Sequence, residues 1–219
     1  MDIVFLGPPG AGKGTQAQRL AATLGIPQVS TGAILRRAVD EGSPMGRRAK
    51  SLMDAGQLVP DEILTELIRD ALARPDAAHG VVFDGYPRNE AQAATLDRLL
   101  SNIERRIEAV VLVEAPDDVI VARLAGRRSC PRCGAVYHLE AAPPERQGKC
   151  DQCGGNLMQR DDDAPATIRE RLEVYRKQTA GLEQRYAKSG LLLKVDASSG
   201  SPDEVFDLVR EALDGRKKK

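Results

Sequence analysis

The sequence predicts an α/β fold of the P-loop three-layer type, wound around a five-stranded parallel sheet. Three observations predict it. Short apolar runs without polar alternation recur between helical stretches, as expected of parallel strands buried on both faces. The first run, residues 3–6, leads straight into Gly7-Pro8-Pro9-Gly10-Ala11-Gly12-Lys13-Gly14-Thr15. A later run, residues 81–83, ends in Asp84-Gly85. Sheets of this class bind ligands outside the carboxyl ends of their strands, so the glycine loop and Asp84 should face one crevice.

In order, the strands are expected at residues 3–6, 28–29, 81–83, 109–113 and 191–195. The helices are expected at 13–24, 61–72, 90–100, 117–124, 167–186 and 203–213. Two segments interrupt this alternation. Residues 30–59 read as helical and basic, divided into two short helices by Gly42-Ser43-Pro44. Residues 126–164 are rich in Pro and Gly and far longer than an ordinary connection, which suits a lid or binding loop. The predicted organisation is therefore a core of residues 1–29, 60–125 and 165–219 with two insertions. The terminal Gly215-Arg-Lys-Lys-Lys219 reads as a solvated, frayed tail.

The glycine loop carries the first chemistry. A phosphate-binding loop reads G-x-x-x-x-G-K-[ST], its last hydroxyl serving Mg²⁺. Gly7, Gly12 and Lys13 fit, but Gly14 occupies the hydroxyl slot and Thr15 follows one place later. Backbone N–H groups here can curl around phosphate oxygens, the following helix aims its positive end at them, and Lys13 adds a mobile charge. A nucleoside triphosphate with an unusual metal seat is expected. Asp84, at the end of an apolar strand, has the layout of a carboxylate serving Mg²⁺ beside such a loop. The metal would then ride on phosphate oxygens and on waters ordered by Asp84.

Charge and composition exclude other classes. The chain has 219 residues with 32 basic and 32 acidic side chains, so no global field draws it to nucleic acid or membrane. No run reaches transmembrane length, and Met1 leads directly into the first strand without a secretory segment, so a cytoplasmic protein is expected.

All four cysteines, Cys130, Cys133, Cys150 and Cys153, fall in one C-x₂-C-x₁₆-C-x₂-C pattern. That spacing suits a tetrahedral zinc site. Two disulfides are the rival, disfavoured in a reducing cytosol. Free buried thiols would not explain the paired spacing. Four thiolates close the coordination shell, so the zinc is expected to be structural. It would give residues 126–164 a core that their own apolar content cannot supply.

Arg36, Arg88, Arg123, Arg127, Arg160 and Arg171 are scattered near helix ends, loops and the lid. Arg123 and Arg127 are read as an i,i+4 pair on one helix, able to reach one target. Asp161-Asp162-Asp163 reads either as a solvated helix N-terminus or as carboxylates that orient the neighbouring arginines.

Several segments together resemble the adenylate kinases of the long, zinc-containing bacterial type. They are GPPGAGKGTQA (7–17), GIPQVSTGAILR (25–36), MDAGQLVPDE (53–62), DGYPRNEAQA (84–93), GRR (126–128), VYH (136–138) and QRDDD (159–163). The resemblance runs in order over nearly the whole chain. It implies reversible phosphoryl transfer from ATP to AMP, giving two ADP, with Mg²⁺ on the nucleotide and a monomeric enzyme. It implies that residues 30–59 are an AMP-binding domain and 126–164 a zinc-bearing lid.

The resemblance also implies roles. Gly10, Ala11, Gly12, Lys13, Gly14 and Thr15 cradle the ATP phosphates. Arg123 and Arg127 contact those phosphates, with Arg127 bordering the adenine. Val136 and Tyr137 cover the ATP nucleoside, and the backbone near Gly200 approaches its base. Arg36 and Arg88 clamp the AMP phosphate. Thr31, Gln57, Leu58, Val59 and Gln92 hold its adenosine, with Gly85, Tyr86 and Pro87 nearby. Arg160 and Arg171 bridge toward the phosphates as the lid closes. Lys13, Arg36, Arg88, Arg123, Arg160, Arg171 and Asp84 form the catalytic set. The chain departs from the family pattern at Ala33 (commonly Asp), Tyr86 (commonly Phe) and Asn89 (commonly Thr).

Three rival readings stand beside this one. They are a kinase for UMP/CMP or GMP, a nucleotide-regulated nucleic-acid binder with a zinc ribbon, and a P-loop ATPase switch. Zero net charge and scarce aromatics weigh against the second.

Overall fold

The computed structural model describes residues 1–179 and 181–217. Among the described residues the strands are β1 (Asp2–Leu6), β2 (Gln28–Ser30), β3 (Val81–Asp84), β4 (Ile107–Glu114), β5 (Arg127–Ser129), β6 (Val136–His138) and β7 (Leu192–Asp196). The helices are α1 (Lys13–Leu24), α2 (Thr31–Asp40), α3 (Pro44–Asp54), α4 (Asp61–Leu72), α5 (Glu90–Ser101), α6 (Asp117–Gly126), α7 (Pro165–Val174), α8 (Gly181–Lys188) and α9 (Pro202–Lys217). Five strands form one all-parallel sheet in the order β2-β3-β1-β4-β7, while β5 and β6 make a separate antiparallel hairpin.

Strand alternation explains the layers. Val4 and Leu6 of β1, Val81 and Phe83 of β3, and Val110 and Leu112 of β4 enter one core with α4, α5 and α8. Ile3, Phe5, Val82, Val111 and Val113 point the opposite way into a second core with α1 and α9. Successive residues of a strand face opposite sides, and here both sides are covered, so uninterrupted apolar runs are required. The tip of β1 points at the glycine loop, and the tip of β3 delivers Asp84 beside it, because the two strands run parallel in register.

Residues 31–54 form two helices divided where the sequence indicates. Gly42 turns the chain at φ 64° and Ser43 Oγ accepts from Gly46 N at 3.0 Å as the cap of α3, with Pro44 in its first turn.

Three expectations are corrected. The single helix expected over 167–186 is not uniformly α: α7 gives way to a wider π turn, Tyr175–Thr179, and α8 follows from Gly181. One long-range bond made by Thr179 and the Tyr175–Glu183 hydrogen bond accompany the wider turn. Arg123 and Arg127 do not share a helix, because α6 ends at Gly126 and Arg127 is extended, at φ −67° and ψ 137°, entering β5. The C-terminal tail is helical as far as Lys217, where Arg216 donates to the Gly190 carbonyl at 2.8 Å. Residues 218 and 219 lie outside the described residues.

Candidate active site

The glycine loop joins β1 to α1. Gly12 caps α1 at φ 102°, a conformation that side-chain-bearing residues rarely adopt, and Gly7 passes so close to Val113 that a Cβ would stand 2.1 Å from its carbonyl oxygen. Lys13 Nζ bridges back to the Pro8 carbonyl at 2.7 Å. Withdrawal from water pushes the Lys13 ammonium down to about 7; Asp84 opposes this, while Arg88, Arg171 and Arg127 add to it.

Asp84 faces the same loop. Its Oδ2 accepts from Ser30 Oγ at 3.0 Å and from Gln28 Nε2 at 3.5 Å, and lies 3.2 Å from where a Cβ of Gly14 would stand. Gly14 therefore leaves room for the carboxylate that a serine or threonine there would crowd. This accounts for the displaced hydroxyl of Thr15, which is exposed.

Around this pair the structure gathers arginines from distant segments. Arg88 follows β3; its Nε donates to the Gly85 carbonyl at 2.8 Å and its backbone N–H to Gln92 Oε1 at 2.7 Å. Burial, with Arg171 and Arg36 nearby, lowers its guanidinium to about 10 despite Asp84. Arg36 of α2 is lowered chiefly by burial, partly offset by Asp162. Arg160 donates to Ser129 Oγ at 2.8 Å and falls to about 9, through burial and through Arg127 and Arg36. Arg171 of α7 is lowered by burial against the pull of Asp162 and Asp163.

Of the acidic run, Asp161 is solvated and Asp163 fully buried. Arg127 Nε donates to Asp163 Oδ2 at 2.8 Å, and Arg171 reaches Asp163 Oδ1 at 3.4 Å and Asp162 Oδ2 at 2.9 Å. Burial alone would raise the Asp162 carboxyl, but Arg171, Arg36, Arg127 and Arg160 hold it below the usual range. The second reading of this run holds: Asp162 and Asp163 orient arginines.

Six cations (Lys13, Arg36, Arg88, Arg127, Arg160, Arg171) thus share one neighbourhood with three carboxylates (Asp84, Asp162, Asp163). Such an excess of buried positive charge suits a ligand of several negative charges. Arg123, on α6, is half-buried and lowered by desolvation alone, so the structure does not join it to this cluster through a charged neighbour.

The remaining expected positions divide. Thr31 is buried and donates to the Gly85 carbonyl at 2.9 Å. Gln92 is 1% exposed and fully engaged: its Nε2 donates to Asp61 Oδ1 at 2.7 Å while its Oε1 takes the Arg88 N–H. Asn89 caps α5, accepting from Gln92 N at 2.8 Å, so this departure keeps the cap. Val59 and Tyr86 lie in the core, Pro87 is buried beside them and Leu58 half-buried. The Tyr86 hydroxyl sits beside Thr65 without a hydrogen bond of ordinary geometry. Gln57 is exposed and donates to Glu170 of α7. Val136 is 48% exposed. Tyr137 turns its hydroxyl inward, 3.5 Å from Cys150 Sγ, and accepts from Asp151 N at 2.9 Å. Gly200 lies in an exposed turn before α9, against Glu204. Ser30, Gln28 and Thr179 escaped the sequence reading, since a lone hydroxyl or amide signals nothing until the fold brings its partner near.

In the 126–164 segment the four sulfurs lie within 4.8 Å of one another. Cys130 and Cys153 approach to 3.4 Å and Cys133 and Cys150 to 3.5 Å. Zinc bonds of ~2.3 Å place tetrahedral sulfurs about 3.8 Å apart, so the set fits the metal. Gly155 packs under it, where a Cβ would stand 3.1 Å from Cys130 Sγ.

Known proteins match this chain closely. The sequence profile of the adenylate kinase family matches residues 5–191. The chain is 50% identical to the adenylate kinase of Archaeoglobus fulgidus over 198 residues, covering 90% of this chain and 91% of that protein. It is 48% identical to the adenylate kinase of Syntrophobacter fumaroxidans over 213 residues, covering 97% and 100%. It is also 48% identical to that of Thermodesulfovibrio yellowstonii over 214 residues, covering 98% and 99%. With its phosphate loop, its cationic crevice and this similarity along almost its whole length, the chain belongs to the adenylate kinase family.

Proposed function

We infer that the protein transfers the terminal phosphoryl group of ATP to AMP, reversibly, giving two ADP and maintaining adenine nucleotide balance. The crowded cations carry this reading. Two nucleotides repel each other, and only positive charge drawn from several segments can hold them in line. An AMP phosphate oxygen attacks the terminal phosphorus while the bond to the β-phosphate oxygen breaks, leaving ADP on both sides. That oxygen is already ionised near neutral pH and needs no strong base. Neither histidine joins the cationic cluster: His79 is exposed in the turn before β3, and His138 Nδ1 accepts from the backbone of Glu140 and Ala141. Catalysis then rests on positioning and on charge around the equatorial oxygens.

On this reading the loop from Gly10 to Thr15 cradles the ATP phosphates, with Lys13 on the transferred group. Arg36 and Arg88 hold the AMP phosphate, while Arg123, Arg127, Arg160 and Arg171 complete the array. Mg²⁺ bound with the nucleotide would neutralise phosphate charge, and Asp84 would order its waters. Residues 30–59 act as the AMP-binding domain, and 126–164 as a lid stiffened by structural zinc. Gathering the cations from separate segments lets the array complete itself only when both substrates are present, which suppresses ATP hydrolysis. The enzyme works as a cytoplasmic monomer; no helix among the described residues is long and apolar enough to cross a membrane.

The test is ADP formation from ATP with AMP, UMP, CMP or GMP, with and without Mg²⁺, against ATP alone. AMP with Mg²⁺ should be strongly preferred. Equal turnover of another monophosphate, or rapid ATP consumption without an acceptor, would overturn the assignment.

A further inference from the structure

We propose that Thr179 is a positioning residue for phosphoryl transfer, whose hydroxyl fixes the arginine that clamps the acceptor phosphate. Thr179 Oγ1 donates to the Arg88 carbonyl oxygen at 2.8 Å. It acts through Arg88, so its role stands on the reading of Arg88 given above.

Arg88 occupies a short irregular link between β3 and α5, where no ladder or helix holds its backbone. Three hydrogen bonds replace one. Its N–H donates to Gln92 and its Nε to the Gly85 carbonyl, both within the same stretch of chain. Its carbonyl is held from 91 residues away, by Thr179. The first two bonds shape the link, and the third fixes the link relative to the rest of the crevice.

The donor's place in the chain matters. Thr179 ends the π turn that follows α7, the helix carrying Arg171. Its hydroxyl therefore sets Arg88 against the segment from which Arg171 projects. These two arginines repel each other; Asp162 attracts both, and the hydroxyl bond adds a backbone restraint on their spacing. Turns of this wide kind are frequent at functional sites. A threonine in a helix ordinarily bonds a carbonyl of its own preceding turn. Here the hydroxyl is spent on a distant carbonyl, and Thr179 is 6% exposed, so water cannot readily replace it.

The test compares wild type with Thr179→Val, Thr179→Ala, Thr179→Ser and Arg88→Ala. AMP is varied at saturating ATP and ATP at saturating AMP, alongside thermal unfolding. Thr179→Val keeps the shape and removes the donor; kcat/KM for AMP should fall about tenfold, or ~1.4 kcal/mol, with the KM for ATP within about twofold of wild type. Thr179→Ala, which adds no bulk, should show the same AMP-selective loss. Thr179→Ser, which keeps the hydroxyl, should recover most of it. Wild-type AMP kinetics in both hydroxyl-free variants would overturn the proposal. So would equal losses in the Ser and Val variants, or parallel losses for ATP and AMP that track the unfolding temperature. If Arg88→Ala collapses transfer while Thr179→Val does not, only the role of Thr179 falls. Unchanged transfer in Arg88→Ala overturns the clamp and, with it, the role built on it.

Discussion

A Cβ on Gly14 would stand 3.2 Å from Oδ2 of Asp84, and that oxygen is already held at 3.0 Å by Ser30 Oγ. The carboxylate cannot retreat without giving up its hydrogen bond. Restoring the hydroxyl that the general loop pattern calls for should therefore harm the enzyme. Gly14→Ser should lower kcat about tenfold or more and raise the Mg²⁺ concentration needed for half-maximal rate, if Asp84 orders the waters of the metal as proposed. A Mg²⁺ titration of ADP formation checks this; wild-type kinetics would show that Asp84 does not need the space.

Asp163 is fully buried and bonded by Arg127 and Arg171. Asp163→Asn keeps the size but removes the charge, leaving two guanidinium groups facing an amide that can accept only half as much. Breaking a buried pair from one side typically costs about 3–5 kcal/mol, and urea unfolding should show a loss of that order. Asp161→Asn, at an 82% exposed side chain, should change stability by less than ~0.5 kcal/mol. Equal effects at both positions would refute the orienting role. Asp162, held below the usual range by its arginines, adds stability that fades as pH falls through its depressed value.

Lys13 tilts stability in the same direction, in a higher pH window. Its ammonium is pushed down to about 7 by burial, from an ordinary 10.5. Between those values the unfolded chain holds more protons, so the Lys13 contribution makes stability rise with pH across that window. A bound triphosphate restores the cation. Binding of a non-hydrolysable ATP analogue at about pH 8 should therefore take up about one proton, measured by calorimetry in buffers of different ionisation enthalpy. Lys13→Met should abolish the uptake; an undiminished uptake in that variant would assign it elsewhere.

Much of this was legible in the sequence because it rests on local rules. The runs through Val4, Val82 and Val111 had to be two-sided strands, and Gly12-Lys13 had to open a helix. Gly42-Ser43-Pro44 reads as turn, cap and first helical residue without any tertiary information. What escaped was decided by distant partners. Nothing between Tyr175 and Thr179 breaks a helix, yet the wide turn sits where Thr179 meets Arg88. Arg127 continues the spacing of α6 in sequence but leaves the helix in space, drawn to Asp163. The inward turn of Tyr137 meets sulfurs that converge only once the 126–164 segment is folded.

The cysteine cluster gives the next prediction. The purified protein should carry about one equivalent of zinc by metal analysis, since four converging thiolates form a closed site. Cys153→Ala should lower the unfolding midpoint by about 5 °C or more, while kcat stays within about threefold of wild type. Loss of all activity with full stability and a folded lid would contradict a structural role.

Gly126 ends α6 where the cysteine-bearing segment begins, and a Cβ there would stand 2.2 Å from His138 Nε2. That distance is far inside van der Waals contact, so the ring and a side chain at 126 cannot both keep their places. The ring has little freedom to yield. His138 Nδ1 accepts from the N–H groups of Glu140 and Ala141, and the neighbouring Leu139 N–H bonds the Gly126 carbonyl. Gly126→Ala should therefore expel His138, loosen the hairpin of β5 and β6, and speed zinc loss to a chelator. An overpacked contact of this kind costs about 1–3 kcal/mol. Helix propensity alone would push the other way, since alanine at a helical position is favoured over glycine by up to ~1 kcal/mol. The two effects are separated by a second change. Gly126→Ala with His138→Ala removes the clash and keeps the propensity gain, so the double variant should regain most of the stability and metal retention lost by Gly126→Ala. If the double variant is instead as unstable as the sum of the two single changes, the ring does not govern the glycine.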